Sequence, residues 1–284
     1  MKQNIHSLTA HKVAMMRAAH QLFDDPTIFN DPMALSIVGT QGVSEIRAEE
    51  QKYKTRLHSR LRAIVVARSK FVEDELSDAV ERGTRQYVIL GAGLDTFAYR
   101  NPYSAGELNI FEVDYPATQV WKRRRLNTAR IPLPGNVTFV PIDFENQSLA
   151  GRLRDAGFRE DVPSFFSLLG VTMYLTRETM METMKYIASS VPSSSHIVFD
   201  YTIPPSSQPW LSRLVFYLLA RKIATIGEPW ESFYDPKLLM MDLASIGFTQ
   251  AKDLSPEQMN ERFFKHRSDH LMVGHFGHLM TAGI

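Results

Sequence analysis

Tyr87-Val88-Ile89-Leu90-Gly91-Ala92-Gly93-Leu94-Asp95-Thr96 reads as a short apolar strand that runs into a glycine turn and then into a helix start. An apolar run of this length, bounded by glycine, suits a strand buried on both faces. Glycines at 91 and 93 let the backbone come close to a ligand, and the N–H groups of the following helix start are free to receive one. Gly-Ala-Gly alone also admits a plain tight turn, because the third glycine of the dinucleotide fingerprint is absent.

The same texture repeats on the C-terminal side, in LNIFEV from Leu108, VTFV from Val137, SFFSLL from Ser164 and HIVFD from His196. Amphipathic helical stretches lie between most of these runs, and strands alternating with helices imply a parallel sheet with helices on both faces. Beyond a helix at Pro236–Ile246, two more strands are expected, near Phe248–Leu254 and near His270–Phe276. The fold class is therefore α/β: a Rossmann-like, seven-stranded, mostly parallel sheet.

On the N-terminal side, Val13, Met16, His20 and Phe23, and then Leu57, Leu61, Ile64, Val65, Phe71, Val72 and Leu76, recur at helix spacing. Residues 203–230 break the βα rhythm with prolines at 204, 205, 209 and 229 around the apolar stretch at Leu214, and read as an inserted lid. One domain is expected, with residues 1–84 as a helical cap, 85–202 and 231–284 as a nucleoside-binding core, and 203–230 as the insertion.

Composition narrows the functional classes. The 284 residues include no cysteine, which excludes disulfides, thiolate nucleophiles and zinc-finger sites. Lys and Arg number 32 against 31 Asp and Glu, so no overall field holds a nucleic-acid backbone. The basic run Lys122–Arg125 spreads around more than half a helical turn and reads as a solvated face. The apolar run Leu214–Ala220 is far shorter than the roughly 20 residues of a membrane span. The opening residues mix His, Lys and Arg among apolar ones, unlike a secretory signal, and a cytoplasmic location is expected.

In an open parallel sheet, ligands bind beyond the carboxyl ends of the strands. There the second run offers Glu112 and Asp114, which share one strand face, and Glu112 lies 21 positions after Gly91. An acid about 20 residues past such a loop can accept from ribose hydroxyls, and either residue qualifies. The third run ends in Pro141-Ile142-Asp143-Phe144, a carboxylate for an exocyclic amine beside a ring for a purine face. An acid at the third strand as well favours S-adenosylmethionine over a dinucleotide. No tyrosine has a lysine four residues on, and neither GxxxxGK[ST] nor GxSxG occurs.

Arg68 falls in the middle of the apolar stripe Leu61, Ile64, Val65, Val72, where a charge needs a partner. It pairs either with an acid of a neighbouring helix or with a ligand carboxylate, such as the one S-adenosylmethionine carries. Arg17, on the flank of its own stripe, reads as a surface charge. His266, His270, His275 and His278 crowd the C-terminus without the spacing of a metal site, and none is expected.

VILGAGLDTFAYR from Val88, FEVDYP from Phe111, VPIDF from Val140, TMYLT from Thr172, GEPW from Gly227 and RFFKHR from Arg262, with the opening SLTAHKVAMMRA, resemble the bacterial branch of the leucine carboxyl methyltransferase-like family over nearly the whole chain. The resemblance implies a class I methyltransferase fold with a helical cap, and cofactor contacts from Arg68, Gly91, Gly93, Asp114, Asp143 and the main chain of Phe144. Leu169 stands where the family has an acid that touches the cofactor, with Asp95 or Tyr174 as replacements; Phe97 stands where an arginine is common.

The expected reaction is methyl transfer from S-adenosylmethionine to an oxygen of a small-molecule acceptor, first of all a carboxylate, which is ionised at neutral pH and needs no base. A phenol or alcohol acceptor would need one, with His20 and Tyr201 as candidates. A protein C-terminal carboxylate as acceptor, and a non-catalytic cofactor-binding module, are the other classes.

Overall fold

The computed structural model describes residues 7–144, 146–207, 213–214, 217, 220–221 and 230–284. Four helices come first: α1 (Leu8–Phe23), α2 (Ala34–Ala48), α3 (Glu50–Lys54) and α4 (Arg56–Glu81). The Ser7 hydroxyl accepts from the Ala10 amide at 3.0 Å and starts α1. Strands β1 (Gln86–Leu90), β2 (Asn109–Asp114), β3 (Val137–Pro141), β4 (Ser164–Leu168) and β5 (His196–Thr202) follow, with helices α5 (Phe97–Arg100), α6 (Pro116–Thr128), α7 (Leu149–Asp155) and α8 (Arg177–Ser190) between them. After the helix Pro236–Ser245 come β6 (Gln250–Leu254), the helix Pro256–Phe263 and β7 (Gly277–Gly283).

The sheet has seven strands, the number the sequence leads one to expect, in the order β3-β2-β1-β4-β5-β7-β6. All pairings are parallel except those of β7, which lies antiparallel between β5 and β6. Because β1 pairs with β2 on one side and β4 on the other, the chain reverses its winding between β1 and β4. The crevice at that reversal, beyond the carboxyl ends of the strands, is where an open α/β sheet takes its ligand.

Alternation along the strands divides the core into a cluster on each face. Tyr87, Ile89, Ile110, Phe165 and Val198 pack with residues of α1, α2 and α4. Val88, Leu90, Phe111, Phe166 and Phe199 pack against Leu149 and Leu153 of α7 and Met180 and Met184 of α8.

The last strand corrects the expectation: it is Gly277–Gly283, not His270–Phe276. Leu271 and Val273 are buried while His270 and Met272 are exposed, so the earlier segment does alternate like a strand. Its backbone is satisfied elsewhere: Asn260 accepts from the Val273 N–H at 2.7 Å and donates to the Val273 carbonyl at 3.2 Å. Most of the expected lid at 203–230, including Trp210 and Phe216, lies outside the described residues. Among the described residues, no helix is long and apolar enough to cross a membrane.

Candidate active site

A cavity of about 570 Å³ opens above the carboxyl ends of β1, β2 and β4, between α1 and α4. That is within the usual size range of small-molecule sites. Its rim carries Gly91, Gly93, Asp114, Asp143 and Phe144, and Arg68 projects into it from α4. The structure thus brings six of the expected cofactor residues to one space.

The glycine loop follows from its backbone. Gly91 has φ +73°, and a Cβ there would fall 2.3 Å from Val171 Cγ2, so neither conformation nor space admits a side chain. Gly93 has φ +44°, and a Cβ would lie 3.1 Å from that of Ala10, which shows how closely α1 roofs the loop. Gly91→Ala is expected to push the loop off Val171 and weaken cofactor binding by more than tenfold, read by calorimetry, whereas Gly135→Ala, in open space, should leave it unchanged.

Asp114, at the end of β2, ties this loop down: Oδ2 accepts from the Gly93 N–H and Oδ1 from the Tyr115 N–H at 2.6 Å. Asp114 also lines the cavity, and a carboxylate can accept more than one hydrogen bond at each oxygen. Asp143 accepts from the Asn146 side chain at 2.9 Å and stays partly open beside the half-buried Phe144 ring.

Glu112 corrects the expectation. It is wholly buried and does not line the cavity; Lys122 Nζ donates to Oε1 at 2.7 Å and the Tyr99 hydroxyl to Oε2 at 2.8 Å. Two residues back along β2 from Asp114, it sits one pleat deeper, under α6. Burial pushes its carboxyl above the usual range, with Lys122 and Tyr99 pulling it back. Lys122 is 1% exposed, so the basic run is not simply a solvated face; Arg123 and Arg124 are exposed.

Neither candidate base reaches the cavity. His20 is fully buried: Nε2 accepts from the amides of Ile28 (3.0 Å) and Phe29 (3.3 Å), which leaves the proton on Nδ1, donated to Asp24 at 2.7 Å. Tyr201 faces the opposite layer of the sheet, and its hydroxyl donates to Asp253 at 2.6 Å. Burial and Asp253 hold that hydroxyl protonated well beyond the usual tyrosine range.

Arg17 is not a surface charge. It is 3% exposed and lines the cavity, donating to the Leu94 carbonyl and to Asp95 Oδ2 at 3.1 Å. Burial opposes the charge on Asp95, but Arg17, Lys122 and Arg100 outweigh it and lower its pKa. Below lies a further group that sequence reading missed: Arg100 clamps the carboxylate of Glu73, a cavity residue, and the fully buried Asp31 accepts from the Thr96 hydroxyl at 2.7 Å. Desolvation raises the Glu73 pKa in spite of Arg100. Tyr174 lines the mouth, where its hydroxyl accepts from Trp230 Nε1 at 3.4 Å. Phe97 packs edge-on against Tyr87, and Leu169 makes part of the wall apolar. Among the described residues, no cluster of His, Asp and Glu has the makings of a metal site.

The family model for leucine carboxyl methyltransferase matches residues 10–188. The chain belongs to that family. It is 35% identical to YktD of Bacillus subtilis, a protein named as an S-adenosyl-L-methionine-dependent methyltransferase, over 99% of each chain. A Mycobacterium tuberculosis protein, Rv3399, named for the same activity, is 32% identical over 66% of this chain and 55% of its own length. Two solved structures share the fold: a Thermobifida fusca protein described as a methyltransferase (TM-score 0.59, 13% identity, 99% and 96% of the two chains) and a Streptomyces avermitilis protein of unknown-function family 574 (TM-score 0.55, 13% identity, 96% and 97%). The chain is an S-adenosylmethionine-dependent methyltransferase. The cavity suits that cofactor. Its walls carry the acids Glu73, Asp95, Asp114, Asp143 and Glu231 against Arg17 and Arg68, an excess of negative charge that favours a sulfonium cation.

Proposed function

We propose that this methyltransferase esterifies a carboxylate of a small-molecule acceptor. The observation that carries the reading is that His20 and Tyr201, the side chains expected as bases for a hydroxyl acceptor, are locked into buried hydrogen bonds away from the cavity. An ionised carboxylate needs no base. The family description names carboxyl methylation, and α1, packed against the glycine loop, leaves a confined space suited to a small acceptor.

Bound S-adenosylmethionine supplies an electrophilic methyl group. The chain's own residues bind and orient: Arg68 takes the methionine carboxylate, the Gly91 and Gly93 loop approaches the cofactor backbone, Asp114 accepts from the ribose hydroxyls, and Asp143 with Phe144 frames the adenine. The apolar wall of Val72, Ile89, Phe97 and Leu169 excludes water that would blunt the acceptor oxygen. In this reading residues 1–84 form a cap, 85–202 and 231–284 the nucleoside-binding core, and 203–230, most of which lie outside the described residues, an insertion in the sequence.

Labelled methyl transferred to a panel of small acids should return as methanol on mild alkali, the signature of an ester. A product stable to alkali, or label held in the protein fraction, would contradict the reading. One observation favours a second: Glu73 lines the cavity with a raised pKa, as a general base for a hydroxyl acceptor would. The two predict different pH profiles. Carboxylate transfer should be independent of pH near neutrality, whereas transfer through Glu73 should fall as acid protonates that carboxyl.

A further inference from the structure

We propose that Asp200 is the positioning residue for the cofactor's amino-acid end, holding Arg68 and Gly170 at the wall beside the apolar Leu169. This rests on S-adenosylmethionine as the ligand of the cavity. Asp200 lies on β5 with its side chain on the same face as Val198, toward α4, and is 3% exposed. It does not line the cavity itself, but Arg68 and Gly170 do.

Each carboxylate oxygen has its own task. Oδ2 accepts from Arg68 Nη1, and Oδ1 accepts from the Gly170 N–H at 2.6 Å. The Asp200 carbonyl also accepts from the Thr172 hydroxyl at 2.6 Å. One residue of β5 thereby fastens the α4 guanidinium to the chain leaving β4.

The fit is tight. Gly170 has φ +70°, and a Cβ there would stand 2.8 Å from Arg68 Nη2 and 3.1 Å from Nη1, so the guanidinium lies flat against bare backbone. A free arginine side chain would lose much rotamer freedom on binding a carboxylate; one already held loses little. Leu169 offers no charge of its own at this wall, so ordering of Arg68 falls to Asp200, from behind. An asparagine at 200 could still accept from one N–H, but would turn its own donors toward the other, so the link between Arg68 and Gly170 would be broken.

The test is calorimetric titration with S-adenosylhomocysteine, which keeps the amino-acid end, and with 5′-methylthioadenosine, which lacks it. Asp200→Asn should weaken S-adenosylhomocysteine about tenfold or more and leave 5′-methylthioadenosine within about twofold. Gly170→Ala, which displaces the guanidinium from the other side, should show the same selectivity and serves if Asp200→Asn does not fold. The double variant Arg68→Met/Asp200→Asn should bind S-adenosylhomocysteine no more weakly than Arg68→Met alone. Equal losses for both ligands would make Asp200 merely structural, and an unchanged S-adenosylhomocysteine affinity would remove its role; either overturns the proposal. Wild-type protein that bound neither compound would overturn the cofactor assignment of the cavity, and this proposal with it.

Discussion

Asp114→Ala should weaken S-adenosylhomocysteine binding at least about 100-fold, measured by calorimetry, with the melting temperature little changed. A carboxylate accepting from both ribose hydroxyls makes two charge-assisted hydrogen bonds, each worth about 1.5 kcal/mol or more, and their sum of about 3 kcal/mol is roughly 100-fold in affinity. A second effect adds to it. Asp114 accepts from the Gly93 N–H, so alanine also frees the loop that approaches the ligand. The melting temperature is protected because Asp114 faces the cavity, where water can take up the Gly93 and Tyr115 N–H groups that it leaves.

Lys122→Met should do the reverse, costing about 3–5 kcal/mol of stability while leaving cofactor affinity unchanged below the melting transition. Glu112 is 0% exposed and Lys122 is 1% exposed, so deleting the cation leaves a carboxylate in the core with, among the described residues, the Tyr99 hydroxyl as its remaining side-chain donor. The deficit must depend on pH. The folded pKa of Glu112 is raised, and without Lys122 it rises further, since Lys122 is the main influence lowering it. A group raised on folding contributes stability below its unfolded value and loses it as pH rises through the folded one. The gap between variant and wild type, read from denaturant melts, should therefore be narrow in acid and widen as pH rises. A cofactor affinity that fell with Lys122→Met would return Glu112 to the binding site.

The contrast between these neighbours explains what the sequence could reveal. Strand parity correctly puts Glu112 and Asp114 on one face, and the glycine turn correctly marks the sheet edge that carries Gly91, Gly93 and Asp114. Parity carries no depth, however. What separates the two acids is Lys122, ten positions along on α6, inside a run whose composition suggests solvent. Arg17 misleads in the same way, since its partner Asp95 is 78 residues distant. Arg68 was legible as a buried charge, but its partner sits on a strand and not on a neighbouring helix. Asp200 was within reach: it closes the apolar run His196–Asp200, and the rule that singles out residues at strand ends applies to it as much as to Asp114. The strand expected at His270–Phe276 failed because Asn260 imitates a neighbouring strand, a long-range effect with no local signature.

The most direct measurement is a crystal structure of the protein with S-adenosylhomocysteine. The account predicts the ribose hydroxyls on Asp114, the adenine between Asp143 and Phe144, and the amino-acid carboxylate on Arg68, with Glu112 still paired to Lys122. A nucleoside bound away from Asp114, or an amino-acid end that leaves Arg68 untouched, would contradict it.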